Sequence, residues 1–170
     1  MTSLRVKRIA LDGMLLGVAM MLSYLEAVLP LSFLLPLPGA KLGLANTAIT
    51  LCFYMISPID AFIINIARIS LSALLFGNVT SFVFALVGGM LAYGGMWLTL
   101  AFYRRVSMWG ISVMCAALHN LGQCLAGAVI MSSIGIFSYL PWLLVFAVIF
   151  GLINGYIIIQ LTKLRVFKNV

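Results

Sequence analysis

Three acids, one histidine and one arginine set deep in an apolar run are the side chains that invite a chemical reading. The acids are Asp12, Glu26 and Asp60. They lie 14 and 34 residues apart, so they form no acidic motif of the kind that holds magnesium for prenyl or phosphoryl transfer. His119 is the only histidine, which excludes a multi-histidine metal site. Cys115 sits one turn before it, but the pair lacks further ligands. No Gly-x-x-x-x-Gly-Lys-Ser/Thr loop occurs, so the chain cannot by itself run an ATP-driven pump. No serine–histidine–acid set is evident, and no cofactor is implied. What remains is binding. The candidate ligand-binding residues are Glu26, Lys41, Asn46, Arg68, His119, Asn120, Gln123 and Trp142, with no catalytic residue and no metal ligand among them.

The elements that must position these groups are membrane helices. Of 170 residues, 65% are hydrophobic and only 8% charged, with a mean hydropathy of +1.24. A soluble domain carries roughly 25% charged residues, and this chain has too little polar surface to cover a water-soluble globule. The expectation is an all-α polytopic membrane protein, a six-helix bundle in a single integral membrane domain over residues 1–170. Asp12 interrupts the apolar run behind Arg5, Lys7 and Arg8, and no small-residue cleavage site ends it, so it reads as a retained first span. Cys52, Cys115 and Cys124 fall in apolar segments without a Cys-x-x-Cys pair, which gives neither a disulfide framework nor a zinc site.

A span needs about 20 apolar residues. Six segments fit: 9–29, 41–57, 59–77, 80–103, 107–131 and 139–162. The breaks carry helix punctuation, with Pro30, Pro36, Pro38 and Gly39 after the first, Ser57-Pro58 after the second and Pro141 in the first turn of the sixth. Basic residues gather at the N-terminus (Arg5, Lys7, Arg8), between the fourth and fifth spans (Arg104, Arg105) and at the C-terminus (Lys163, Arg165, Lys168). With six spans these share one side, and the other side has only Lys41. The positive-inside rule then predicts a multi-pass protein of the cell membrane with both termini in the cytoplasm. The net charge of +7 reflects this topology and anionic headgroups, so no nucleic acid partner is expected.

Helical spacing sorts the polar residues onto faces. Asp12, Ala19, Ser23 and Glu26 form one stripe on the first helix. Gly13 and Gly17 lie about 100–140° away from Asp12 and present a separate small surface, either for a partner protein or for packing within the bundle. Asn65, Arg68 and Ser72 share a face of the third helix. Arg68 is too deep to snorkel, so it either pairs with Asp12, Glu26 or Asp60, or meets an anionic ligand. Ser112, Cys115, His119, Gly122, Gln123 and Ala126 make a small, polar face on the fifth, where His119, Asn120 and Gln123 form a core cluster or a ligand cluster. Asn154 reads as a packing or hydrogen-bonding residue beside Gly151 and Gly155. Trp97, Trp109 and Trp142 sit near span ends as interfacial anchors, and Trp142, at the outer end of the sixth, is also placed to stack on a ligand.

The stretch from Pro36 to Asn46, Pro-Leu-Pro-Gly-Ala-Lys-Leu-Gly-Leu-Ala-Asn, completes the picture. Its Pro-Gly part predicts a turn, and Lys41 to Asn46 predicts the start of the second helix, with Lys41 at an outer entrance and Asn46 deeper in the bundle. Together with Ala10-Leu11-Asp12-Gly13-Met14-Leu15-Leu16-Gly17, the deep Arg68 and His119-Asn120-Leu121-Gly122-Gln123, it resembles the Gx transporter family, often labelled heptaprenyl diphosphate synthase component I. That family resembles in turn the substrate-binding S components of energy-coupling factor (ECF) vitamin transporters. The resemblance spans nearly the whole chain and is most specific in the Pro-Gly-x-Lys-x-Gly-Leu-Ala-Asn stretch.

The resemblance implies a six-helix binding protein that captures a small vitamin or cofactor precursor from outside. It also implies docking through small residues of the first helix onto a transmembrane coupling subunit, with ATPase subunits on separate chains. Gly13 and Gly17 hold the places of the family's small docking residues, which are often alanines. The competing expectation is a non-transporting membrane subunit of a prenyl-diphosphate, quinone or redox pathway. A self-contained channel or carrier is a third.

Overall fold

The computed structural model describes residues 2–29, 43–102 and 106–163. These residues form six α-helices: α1 (Thr2–Val28), α2 (Asn46–Met55), α3 (Pro58–Phe76), α4 (Val79–Phe102), α5 (Met108–Ile130) and α6 (Leu140–Thr162). A short 3-10 segment, Ile134–Tyr139, leads into α6. The all-α membrane bundle predicted from composition is what forms, and no strand occurs among the described residues.

Side-chain caps fix several helix starts. The Ser57 hydroxyl accepts from the Ile59 N–H at 3.2 Å, Pro58 occupies a first-turn position whose N–H is not needed, and Asp60 lies in the same turn. Ser107 caps α5 by accepting from the Gly110 N–H at 3.2 Å. Asn78 and Ser81 cap each other at the start of α4, with Ser81 N–H donating to Asn78 Oδ1 at 2.8 Å and Asn78 N–H to Ser81 Oγ at 2.9 Å.

Five helices, α1, α3, α4, α5 and α6, are long and apolar enough to cross a membrane. The second segment differs from its predicted 41–57. α2 has 10 residues, so it is about 15 Å long against an apolar thickness of about 30 Å. Lys41 lies outside the described residues, and the predicted segment is not yet helical at Gly43. Gly43 adopts φ +80°, and the chain turns through Leu44 and Ala45 before the helix begins at Asn46.

Cross-contacts fix the direction of each helix. Arg8 near the start of α1 meets Asp60 at the start of α3, whereas Glu26 near the end of α1 meets the turn before α2. α2 therefore runs back toward the Arg8 end. Tyr54 at its close bonds Thr99 near the end of α4, at 2.7 Å. Gly155 late in α6 packs on Trp109 at the start of α5. The starts of α1, α3 and α5 and the ends of α2, α4 and α6 thus share one end, called the basic end because Arg5, Lys7, Arg8 and Lys163 lie there. An apolar core including Leu11, Leu15, Ile49, Phe53 and Met96 fills that end, and a smaller one around Cys124, Ile136 and Leu143 fills the far end.

α5 is the central post, packed between α4 and α6. A methyl carbon on Gly122 would lie 2.6 Å from Gly88 Cα, and one on Gly151 would lie 2.6 Å from Val113 Cα. Only glycine permits backbones to approach this closely. In a membrane, where apolar burial does not drive helices together, such close packing supplies much of the cohesion.

Candidate functional site

Polar side chains converge in the far half of the bundle. On α3, spacings of three and four residues turn Asn65, Arg68 and Ser72 inward, and all three are buried. Arg68 is only 2% exposed. Its Nη2 donates to Asn65 Oδ1 at 2.7 Å, and Asn65 Nδ2 donates on to the Gly89 carbonyl of α4 at 3.4 Å. Arg68 Nε is buried and has no hydrogen-bond partner among the described residues. A guanidinium in this setting is anchored by a neutral amide and keeps donor capacity for something else.

Of the three acids considered as partners for Arg68, Glu26 is the one whose charge bears most on it. Asp60 is engaged elsewhere, by Arg8 Nε at 2.6 Å. Asp12 lies 14 residues before Glu26 on α1, about 21 Å toward the basic end. Glu26 is buried, and its Oε1 accepts from the Leu44 N–H at 2.8 Å. This bond ties the last turn of α1 to the turn that precedes α2. Ala19 and Ser23 are buried on the same side of α1, so the predicted stripe does face the bundle interior.

Gly43 holds that turn together. Its φ of +80° disfavours any side chain, and a methyl carbon there would lie 3.0 Å from Asn46 Nδ2 and 3.3 Å from the His119 ring. Asn46, the first residue of α2, is therefore next to His119 of α5, and its Nδ2 is buried without a partner among the described residues. His119 is packed from the other side by Gly88, where a methyl carbon would lie 2.9 Å from Nδ1. Gln123 Nε2 and His119 Nε2 are 2.9 Å apart. With the amide donating, the ring nitrogen accepts, which places the His119 proton on Nδ1.

The structure divides the polar cluster read from α5. His119 and Gln123 belong together, but Asn120, one residue and about 100° further round, faces α6. Its Nδ2 donates to the Leu143 carbonyl at 2.7 Å, so it ties two helices rather than joining the others. Trp142 is also apart: it is 56% exposed on the first turn of α6, with its ring edge-on to Phe146 at 5.4 Å. Lys41 lies outside the described residues. Asn46, His119 and Gln123 thus gather around Gly43, while Arg68 sits with Asn65, and Glu26 lies between them, bonded to the turn at Leu44 and acting on Arg68 through its charge.

Gly13 and Gly17 face outward on α1. A methyl carbon on either would meet nothing within 4 Å, and exposed Met14, Val18 and Met21 flank them. Among the described residues nothing packs on this small surface.

Among the described residues, no three His, Cys, Asp or Glu side chains converge in a way that would hold a metal ion. Several contributors were not singled out in the sequence. Gly88 and Gly89 are one such pair: the first admits His119 and the second receives Asn65. Their adjacency in an apolar helix was the available signal.

Neither a curated protein nor a solved structure matches the chain. Residues 15–161 match the family model described as heptaprenyl diphosphate synthase component I, a stretch that takes in Glu26, Asn46, Arg68, His119 and Gln123, and the chain belongs to that family.

Proposed function

We propose that the chain is the substrate-binding membrane subunit of an importer of the energy-coupling factor type, and that it takes up a small anionic molecule such as a vitamin or cofactor precursor. The observation that carries this reading is Arg68. A guanidinium almost wholly removed from water, bonded to a neutral amide and with Nε unpartnered, is costly unless a ligand supplies an anionic acceptor. Asn46, His119 and Gln123, grouped around Gly43, would supply further polar contacts to such a ligand. Glu26 holds the Gly43–Leu44 turn and balances part of the charge.

In this reading the protein binds and does not catalyse. Asp60 and Glu26 lie toward opposite ends of the bundle, in separate contacts, and so do not make a shared magnesium site. Lys41 would guide anions at an outer entrance, and both termini would lie in the cytoplasm. The outward face at Gly13 and Gly17 would dock a coupling subunit driven by separate ATPase chains. The family's printed description supports a second reading, a membrane component of a heptaprenyl diphosphate synthase that transports nothing.

Co-purification separates the two. Recovery of a membrane coupling protein with ATPases, lost on Gly13→Leu or Gly17→Leu while ligand binding persists, is the result expected of the importer. Recovery of a soluble prenyl synthase, with prenyl transfer that fails when this chain is omitted, would establish the other reading. A panel of carboxylated and phosphorylated small molecules, tested for a thermal shift on the purified protein, examines the binding claim directly. No shift across the panel would remove it.

A further inference from the structure

Charges buried in the far half of the bundle act strongly on one another, because little water screens them. Among the described residues, Arg68 is the one buried cation and Glu26 the one buried acid. The charge of Glu26 already opposes that of Arg68. His119, with the Gln123 amide donating to it, adds no charge. The polar centre therefore offers a ligand at most one positive charge.

Asn65 keeps that charge from being cancelled. An aspartate has nearly the same size and would set a carboxylate where Asn65 Oδ1 now lies, 2.7 Å from Arg68 Nη2. It would complete the ion pair that the buried guanidinium lacks. The other end of the side chain calls for the amide instead. Asn65 Nδ2 donates to the Gly89 carbonyl at 3.4 Å, which an aspartate oxygen cannot do, and this leaves Oδ1 facing Arg68. Gly89 permits the approach, since a methyl carbon there would lie 3.1 Å from Ile69 Cδ1 and 3.3 Å from Asn65 Nδ2. Arg68 is thus anchored through Nη2, while its buried Nε has no partner among the described residues.

We infer that Asn65 is a positioning residue that sets the charge selectivity of the site: the ligand group that meets Arg68 carries a single negative charge, as a carboxylate does, and not the two of a phosphate monoester. This rests on the reading of Arg68 as an anion site and narrows it. A phosphate monoester carries about −1.5 to −2 at pH 7. Arg68 can answer one of those charges. The second would be left out of water, near Glu26, with no cation to meet it, and an uncompensated buried charge is strongly unfavourable. A diphosphate headgroup carries still more charge and fits this site less well, whichever subunit role the chain has.

The test uses the full chain purified in a neutral detergent, at about pH 8 and constant ionic strength, where a phosphate monoester is fully doubly charged. The probes are acetate, methanesulfonate and methyl phosphate. Methanesulfonate and methyl phosphate are both tetrahedral and differ in charge, so charge is varied while shape is held. Acetate and methanesulfonate should raise the thermal midpoint at concentrations at least about tenfold lower than methyl phosphate. An equal response to methyl phosphate and methanesulfonate would overturn the charge selectivity and leave the anion site standing. No response to any of the three would overturn both. Asn65→Asp should abolish the response to acetate and methanesulfonate. Without any probe, its effect on the midpoint should be more favourable beside Arg68 than in an Arg68→Gln background, because the new carboxylate can pair with Arg68 alone. The lost Gly89 bond is common to both backgrounds and cancels. Equal effects in the two backgrounds, or an Asn65→Asp protein that still responds to acetate, would reduce Asn65 to a packing residue and overturn its role.

Discussion

The regions around Arg8 and Arg68 solve the same problem, an arginine on a membrane helix, in opposite ways. Arg8 lies at the basic end, half exposed, and meets the carboxylate of Asp60 at 2.6 Å. Arg68 lies inside the far half, almost fully buried, and its direct hydrogen bond is to the neutral amide of Asn65. Among the described residues, the arginine in contact with water has the ion pair, and the arginine without water does not. If both were structural, the closer charge partner would belong with the buried one, where an uncompensated charge costs most. The reversal is what the proposed anion-binding role of Arg68 would require.

The sharpest way to break that contrast is to remove Arg68. With Arg68→Gln, binding of carboxylated or phosphorylated ligands, measured by calorimetry on the purified protein, should weaken by about 30-fold to several thousand-fold, the range for losing a desolvated charge partner. Arg68→Lys should fall between, because an ammonium keeps the charge but not the planar fork. Unchanged affinity in Arg68→Gln would reduce Arg68 to a packing residue and with it the contrast between the two regions.

The centre was legible in the sequence where its logic is helical and illegible where it depends on backbone shape. The 3.6-residue period placed Asn65, Arg68 and Ser72 on one face, and Ala19, Ser23 and Glu26 on another, and both faces are buried. Period alone does not say which neighbour a face meets. His119, Asn120 and Gln123 read as one cluster, yet Asn120 is bonded to Leu143 of α6. Nor does an apolar run reveal that its third residue will take a positive φ. The second segment therefore read as a full span from Lys41, whereas Gly43 takes a left-handed turn conformation and α2, starting at Asn46, is only 10 residues long.

Backbone contacts make the centre rigid, and that rigidity can be tested independently of charge. Gly122→Ala would bring a methyl carbon to 2.6 Å from Gly88 Cα, and backbone cannot move aside as a flexible side chain can. The expected loss is about 1–3 kcal/mol of stability, read as a fall of several degrees in the thermal midpoint. His119, wedged against Gly88, should shift with it, so binding should weaken even in the fraction that stays folded. An unchanged midpoint would mean that α4 and α5 are not locked together at this point.

A smaller effect is expected at the turn before α2. Gly43→Ala places a side chain at φ +80° and within 3.0 Å of Asn46 Nδ2. The left-handed conformation costs an ordinary residue roughly 1–2 kcal/mol. The chain can relieve that strain by loosening the turn and lengthening the Glu26–Leu44 bond. Ligand affinity should therefore drop by about tenfold with only a modest change in midpoint. Hydrogen exchange at the Leu44 amide, now protected by Glu26, should accelerate in the variant. If exchange there stays slow, the turn tolerates the side chain and glycine is not required.

The smallest effect belongs to the other arginine. Arg8 and Asp60 touch closely, but Arg8 is 48% exposed, and water and ions screen the pair. Exposed ion pairs contribute about 0.2–1 kcal/mol. Arg8→Ala and Asp60→Asn should each lower the thermal midpoint slightly, by similar amounts. The double variant should cost no more than either single change, because each already removes the same interaction. High salt should shrink the difference from wild type, whereas it should leave the effect of Gly122→Ala on stability untouched. Ligand affinity should not change in any of the three Arg8 and Asp60 variants. A loss of binding in them as large as that in Arg68→Gln would show that the two ends of the bundle are coupled, with the ion pair holding α1 against α3 so that Glu26 and Arg68 keep their spacing.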